Sequence, residues 1–192
     1  ASVEAIDLNS ANGQIWTPIG VNGKPFKGSF NGNGVVIRNV AIKTTECAGL
    51  FGNVLGSISN VALKNVSIEA GHYAGAVAGY AYGNITGCSV DGLTMVVTPY
   101  DTTRTAYDNG DKVGGIVGEV ETDATGTSTA TLVENCLVGV SAISVPEGKD
   151  VIAHRVVGFS SGDNYEYDWN KVDWSKPQSE WPRDYFAPEK GF

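Results

Sequence analysis

The sequence predicts an all-β fold, a right-handed parallel β-helix of about four or five coils, and three observations support this prediction. Two short motifs recur in a fixed order, side chains alternate between apolar and polar, and amphipathic helix patterns are missing. Glycine accounts for 25 of the 192 residues and charged residues for only 18%, a composition typical of short strands joined by tight turns. A β-sandwich is the structural alternative, because Asn22-Gly23 and Asn31-Gly32 are suited to hairpin turns.

The first motif has six residues: an apolar residue, any residue, Asn or Gly, Val or Cys, any residue, and a second apolar residue. Its copies begin at Ile37, Ile58, Ile85 and Val133, at intervals of 21, 27 and 48 residues. Side chains after the second copy alternate with a period of two, apart from one slip at Asn65. This pattern indicates a strand with a one-residue corner rather than a helix.

The second motif has five residues and ends in glycine. It reads AGLFG up to Gly52, GAVAG up to Gly79 and GGIVG up to Gly118, with a degraded copy, HRVVG, up to Gly158. The first three closing glycines precede the next copy of the first motif by 6, 6 and 15 residues, so both motifs belong to one repeat. Stacked repeats predict two ladders of side chains, one of Val61, Cys88 and Cys136 and another of Phe51, Ala78 and Val117.

Two polar stretches, 98–111 and 121–131, lengthen the third repeat and are predicted to be loops inserted at corners of the coil. Without them the repeat is roughly 21–27 residues long, within the range of solenoid repeats. Left-handed or bulged backbone is expected at the corner residues Gly52, Gly79, Gly118, Asn60 and Asn135.

Both ends of such a stack need covers, since each coil shields only its neighbours. The sequence predicts a repeat domain over residues 1–162, with an N-terminal cap in residues 1–21. Residues 163–192 are predicted to be an aromatic, proline-rich capping segment, because their prolines disfavour a helix or a central strand.

Charge and cysteine content exclude several classes of function. A net charge of −8 and a sequence pI near 4.7 disfavour nucleic acid as a partner, because an acidic surface repels phosphate groups. No run of 18 apolar residues occurs, so no membrane-spanning helix is predicted. An odd number of cysteines without CxxC spacing argues against a zinc site and a disulfide framework, so Cys47, Cys88 and Cys136 are expected to be small buried apolar residues.

The AGLFG, GAVAG and GGIVG copies and the strand motif that follows them resemble the GLUG motif of bacterial surface proteins and of regions associated with immunoglobulin A proteases. The segments WTPIG (16–20) and PFKGSFNGNG (25–34) resemble the opening of such arrays, with Phe26 and Phe30 as core residues. The resemblance extends from Trp16 to Gly158. It implies a β-helical fold, secretion and a role in adhesion, and it brings no active site.

No catalytic residue and no cofactor are predicted, since His72 and His154, the only histidines, lie in contexts unlike those of hydrolase sites. Asp108 and Asp111 surround an Asn-Gly turn but lack the distal bidentate Glu of a calcium loop, so a simple turn is expected and no metal site is predicted. Aromatic side chains stack on sugar rings and dominate protein interfaces. The predicted ligand-contact residues are therefore Trp169, Trp174, Trp181, Tyr165, Tyr167, Tyr100 and Tyr107.

The three tryptophans are also suited to covering the open end of the solenoid, where an uncovered edge would invite strand addition. The leading hypothesis is a non-enzymatic binding module that contacts host protein or glycan through the inserted loops and the C-terminal face. Such a module would lie outside the cell or on a bacterial surface, with a lipid anchor added through a removed leader as one open mode of attachment. End-to-end self-association of the stack is a further expectation.

Two alternatives stay open. A polysaccharide lyase would use Arg104 or Lys112 as the base. Its carboxylates would come from Asp91, Asp101, Asp108, Asp111, Glu119, Glu121 and Asp123. A structural spacer would have neither a polar pocket nor an exposed aromatic cluster.

Overall fold

The computed structural model describes residues 4–21, 23–98, 111–121, 133–139, 141–144, 151–154 and 156–160. This part of the chain is all-β, with one 3-10 turn at Ser10–Asn12 and no α-helix. The strands in chain order are β1 (Ala5–Asp7), β2 (Ser29–Asn31), β3 (Val36–Thr44), β4 (Phe51–Val54), β5 (Ser57–Ser59), β6 (Ala62–Ala70), β7 (Ala78–Ala81), β8 (Ile85–Thr86), β9 (Ser89–Val97), β10 (Asp111–Gly114), β11 (Val117–Val120), β12 (Val133–Glu134), β13 (Leu137–Val138), β14 (Ser141–Ser144), β15 (Val151–His154) and β16 (Val157–Ser160).

All strand pairs in the described ranges are parallel. The first sheet has the order β1-β3-β6-β9-β13, with β14 also paired to β9. The second sheet has the order β4-β7-β11-β16, the third has the order β2-β5-β8-β12, and β10 and β15 form a fourth. We call each passage of the chain through the first, second and third sheets a coil. Successive coils begin at β1, β3, β6, β9 and β13.

The strand register corrects the predicted repeat at its first copy. Ile37 pairs with Leu63 and not with Ile58, whose partner in the preceding coil is Phe30. The three later copies are aligned with one another as predicted. The six-residue pattern was misassigned because the second, third and fourth coils each have two left-handed corners flanked by apolar residues, and the pattern fits either corner.

The first corner lies inside the long strands of the first sheet. Asn39 and Asn65 have φ angles of 56° and 54°, and Gly92 takes the same place in β9 with φ 73°. Asparagine and glycine tolerate this left-handed conformation, which other residues avoid. The one-residue corner predicted at Asn65 is therefore confirmed.

The second corner joins the third sheet to the first. Asn60, Gly87 and Asn135 occupy it with φ angles of 52°, 61° and 53°, as expected for the two asparagines. The asparagine side chains also link neighbouring coils, since Asn60 Nδ2 donates to Asn31 Oδ1 over 3.2 Å.

The closing glycines Gly52, Gly79 and Gly118 do not have left-handed φ angles, so the left-handed option in the expectation for them is wrong. Their lack of a side chain matters because backbone from neighbouring segments approaches them closely. A Cβ atom on Gly79 would lie 2.8 Å from the backbone nitrogen of Ala48, and one on Gly118 would lie 2.5 Å from the carbonyl oxygen of Gly79.

The interior is built from ladders of apolar side chains that run from coil to coil. Phe51, Ala78 and Val117 are register partners, so this predicted ladder is confirmed. Val157 continues it, which places the degraded HRVVG copy in the next coil. Apolar burial of this kind supplies the main favourable free energy of folding.

The second predicted ladder is also confirmed. The Ser89 amide donates to the Val61 carbonyl oxygen over 2.8 Å, and the Leu137 amide donates to the Cys88 carbonyl oxygen over 2.9 Å. These bonds align Val61, Cys88 and Cys136 at one position of three successive coils.

The stretch predicted as an N-terminal cap continues the sheets: β1 pairs with β3, Trp16 with Ile42, and Ile19 with Phe51. The hairpin considered at Asn31-Gly32 is wrong, since β2 and β3 belong to different sheets. The Asn22-Gly23 turn lies partly outside the described residues, and the predicted capping segment 163–192 lies wholly outside them.

Candidate functional site

All seven residues predicted to contact a ligand lie outside the described part of the chain. These residues are Trp169, Trp174, Trp181, Tyr165, Tyr167, Tyr100 and Tyr107, and the calcium candidate Asp108 lies outside it as well. Their roles stay predictions. The candidate site consists of described residues that lie beside the two inserted stretches.

Asp111, the other calcium candidate, is the first residue of β10 and is only 5% exposed. Its Oδ1 atom lies 2.9 Å from Nδ1 of His72. Within the described ranges, no group of three or more His, Cys, Asp and Glu side chains is arranged to hold a metal ion. Asp111 thus contacts an imidazole ring.

Three tyrosines form a continuous row on the outside of the third coil, which we call the tyrosine face (Tyr73, Tyr80 and Tyr82). The ring centroids of Tyr73 and Tyr80 are 5.3 Å apart, and those of Tyr80 and Tyr82 are 5.0 Å apart. Tyr80 Oη donates to Tyr82 Oη over 3.2 Å. Tyr82 is 41% exposed, so the row ends at the solvent.

His72 and Lys112 border the other end of the tyrosine face. The His72 ring lies 3.6 Å from the Tyr73 ring, centroid to centroid, and Lys112 Nζ lies 5.2 Å from the Tyr73 centroid. A cation over the face of an aromatic ring is attracted by its quadrupole, so Lys112 fixes Tyr73 in place.

Lys112 also forms an ion pair within the protein. Its Nζ atom donates to Glu119 Oε2 over 3.2 Å, and both side chains are buried. Glu119 is the register partner of Tyr80, so the ion pair adjoins the middle of the tyrosine face. Buried charges require such pairing because desolvation is costly.

Cys47 lies close to the same cluster. Burial, together with the negative charges of Glu46 and Glu119, raises the pKa of the Cys47 thiol to about 12. The thiol therefore stays protonated at neutral pH and is a poor nucleophile.

This arrangement places aromatic rings and hydroxyl groups at the surface. Lys112, one base considered for a lyase, directs its amine at Glu119, and the other, Arg104, lies outside the described residues. Asp91 is on β9 in a different sheet from Glu119. The tyrosine rings and hydroxyls, by contrast, offer apolar faces with hydrogen-bonding edges at the surface.

The sequence contains a pattern from which part of this site could be predicted. Tyr80 and Tyr82 are two residues apart directly after the GAVAG motif, and a period of two places both on one face of a strand. Tyr73 could not be added from sequence, because its position depends on how the chain turns before β7.

A second concave surface lies beside β1. This cleft has a volume of about 450 Å³ and is lined by Asp7, Leu8, Asn9, Asn12, Gln14, Ile15 and Trp16. Asp7 organises its wall, because its carboxylate accepts hydrogen bonds from the Asn9 amide, Arg38 Nε and Asn39 Nδ2. The Asn9 amide first, and then Asn39, hold the pKa of Asp7 below its usual range.

No family model matches this chain, and no solved structure does. Among curated proteins, halomucin from Haloquadratum walsbyi is 29% identical over 130 residues, which cover 62% of this chain and 1% of halomucin. The chain thus spans about 1% of the length of the curated relative that it matches. No helix within the described ranges has the length and apolar character needed to cross a bilayer.

Proposed function

We propose that this chain is a non-enzymatic binding module, secreted or held on a bacterial surface, that contacts a glycan through the tyrosine face. The observation that carries this proposal is the continuous row of Tyr73, Tyr80 and Tyr82, which ends in an exposed ring. Aromatic rings with hydroxyl edges suit sugars, which present apolar C–H faces rimmed by hydroxyl groups.

The proposal includes the finer fold, a right-handed parallel β-helix with GLUG-type repeats. Its support is the parallel pairing of equivalent strands from successive coils in three sheets. The two inserted stretches are part of the proposed contact surface, because one ends at Asp111 beside His72 and the other begins at Glu121, one residue after β11.

The proposed location outside the cell has two supports. The GLUG-type motifs resemble those of bacterial surface proteins, and the matched relative carries the name halomucin, which contains the word mucin. Attachment through a lipid anchor belongs to the same proposal.

The lyase and spacer alternatives require different arrangements of the residues at and beside the tyrosine face. A lyase needs its base free to reach the substrate, whereas the Lys112 amine is 3.2 Å from Glu119. A spacer needs no exposed aromatic row, whereas Tyr82 is accessible.

The test is a glycan-array screen of the purified protein with and without calcium, followed by titration of any glycan that binds. Tyr82→Ala is expected to weaken binding by roughly 10- to 30-fold, the effect typical of a contact-dominating aromatic residue, whereas Tyr82→Phe keeps the ring and loses less. Val96→Ala is the matched control, since Val96 is an exposed apolar residue on β9 in a different sheet.

Three outcomes would distinguish the proposed tyrosine-face site from the alternatives. Unchanged binding by Tyr82→Ala, with loss in the triple variant Trp169→Ala, Trp174→Ala and Trp181→Ala, would move the site to the C-terminal segment. Cleavage of a glycan polymer that leaves unsaturated, ultraviolet-absorbing sugar ends would establish the lyase. The absence of binding to every glycan would contradict the proposal and direct the search to host proteins.

A further inference from the structure

Two cysteines that are 48 positions apart in sequence are neighbours in the fold. The register pairs Glu134 with Thr86 and Leu137 with Ser89, and both intervening segments contain two residues. Cys136 therefore lies next to Cys88, one coil away. Neighbouring strands are about 4.8 Å apart, within the Cα separation of roughly 4.4–6.8 Å that a disulfide spans.

The two side chains have the same conformation. Cys88 Sγ lies 3.4 Å from the carbonyl oxygen of Thr86, and Cys136 Sγ lies 3.4 Å from that of Glu134, each two residues earlier. Cys136 Sγ also lies 3.7 Å from the carbonyl oxygen of Ile85, in the coil of Cys88. A side-chain hydrogen bond joins Cys88 and Cys136, so the two thiol groups are in contact.

From this geometry we propose that Cys88 and Cys136 form a disulfide bond when the protein is exposed to an external disulfide. Formation requires the two Cβ atoms to approach to about 3.8 Å, so the corners must shift by roughly 1 Å. The corner residue before Cys88 is Gly87, which has no side chain to oppose this shift.

The chemistry has a defined order. Cys136 is partly exposed, and a hydrogen bond from Cys88 lowers the pKa of its thiol, so its thiolate attacks the external disulfide R–S–S–R and expels one R–S⁻. That hydrogen bond and burial raise the pKa of Cys88, so Cys88 reacts second. Its sulfur loses a proton, attacks the Cys136 sulfur and expels the second R–S⁻. The products are one protein disulfide and two R–SH.

The third thiol is excluded from this exchange. The pKa of Cys47 is about 12, and Cys47 precedes Ala48, whose bridge partner is Ala74 rather than a cysteine. A single pair with one remaining thiol accounts for the odd number of cysteines.

The bond would join the two ends of the longest coil. The segment between Cys88 and Cys136 contains both inserted stretches, which are part of the proposed contact surface. Closing a long segment reduces the entropy of the unfolded chain and so stabilises the folded protein.

The experiment treats the full chain with oxidised glutathione, denatures it, alkylates it with iodoacetamide without reduction, and counts labels by mass spectrometry. One label on Cys47 and a cross-linked Cys88–Cys136 peptide are expected. Three labels, or a cross-link that includes Cys47, would overturn the proposal.

The matched control is the double variant Cys88→Val and Cys136→Val, which should fold because Val61 occupies the same ladder position. Reduction should lower the melting midpoint of the oxidised wild type by roughly 5–15 °C and leave that of the control unchanged. An equal effect of reduction on both proteins would overturn the stabilising role of the bond.

Discussion

At the scale of single residues, asparagine serves both backbone and side-chain roles at the corners. Asn65 takes the left-handed conformation, and its Nδ2 atom donates to Asn39 Oδ1 over 3.3 Å. Asn39 Nδ2 in turn donates to Asp7 Oδ2 over 2.9 Å, so the corner is linked through three coils. Gly92 occupies the equivalent position in the next coil and has no side chain to extend this link.

Replacing Asn65 separates these two roles. Asn65→Ala is expected to lower the free energy of unfolding by about 1–2 kcal/mol, because alanine resists the left-handed conformation and lacks the amide. Asn65→Gly should cost less, since glycine accepts the conformation. Urea unfolding measures both, and equal costs would mean that backbone conformation is not the source of the preference for asparagine.

The Lys112–Glu119 ion pair gives a second prediction at this scale. Lys112→Met is expected to lower the free energy of unfolding by about 3–5 kcal/mol, because it leaves the Glu119 carboxylate buried without its cation. Lys112→Met combined with Glu119→Gln should cost less than the single change. Urea unfolding of wild type and both variants tests this, and a double variant less stable than the single one would contradict it.

At the scale of strands and motifs, the sequence predicted well which residues share a ladder. It predicted less well why the same residue type recurs at one position of each repeat. The Phe51 and Val61 ladders follow from local spacing, which the periodic hydrogen bonding preserves from coil to coil. The first motif copy at Ile37 was misassigned because two corners look alike within six residues. The role of Gly79 depends on backbone from another coil, which local spacing cannot reveal.

The close approach of neighbouring backbone to Gly79 can be tested by comparison with a glycine whose surroundings can accept a methyl group. Gly79→Ala is expected to cost about 1–3 kcal/mol of unfolding free energy, because the new methyl group would meet the backbone of Cys47 and Ala48. Gly28→Ala is the control, since its nearest neighbour is the tip of the Phe26 ring, which can move. Thermal melting of both variants measures these effects, and an equal decrease in their melting midpoints would contradict the explanation from close approach.

The candidate site shows the same limit of sequence reasoning. Alternation could have paired Tyr80 with Tyr82, but the contact of Tyr73 with His72 and Lys112 joins residues up to 40 positions apart. Such contacts depend on side-chain conformation and on the turn before β7. The predicted aromatic residues of segment 163–192 stay predictions.

At the scale of the whole molecule, the parallel register pairs each coil, within the residues that the structure describes, with the coils directly before and after it. The link between β7 and β8 consists of residues 82–84, whereas the equivalent link between β11 and β12 consists of residues 121–132. The strands on both sides of these links are nevertheless paired in register. The longer link is therefore accommodated without disturbing the sheets.

Shortening that link tests this independence. Replacing residues 121–132 by Tyr-Gly-Asn, the sequence of residues 82–84, should preserve the β-rich circular dichroism spectrum and cooperative unfolding, because loop length has a small effect on stability. Loss of cooperative unfolding would show that residues 121–132 belong to the core. Retained folding with weaker glycan binding would place them in the contact surface.

The same register constrains how a chain of this kind can change in length. The positions of β6 are matched by the coil before and the coil after, so a duplicated coil inserted between two such coils would find partners on both sides. An insertion of part of a coil would misalign every ladder beyond it unless it bulged outward at a corner. Gene duplication can therefore lengthen such a protein in whole turns, while smaller insertions accumulate only at its corners.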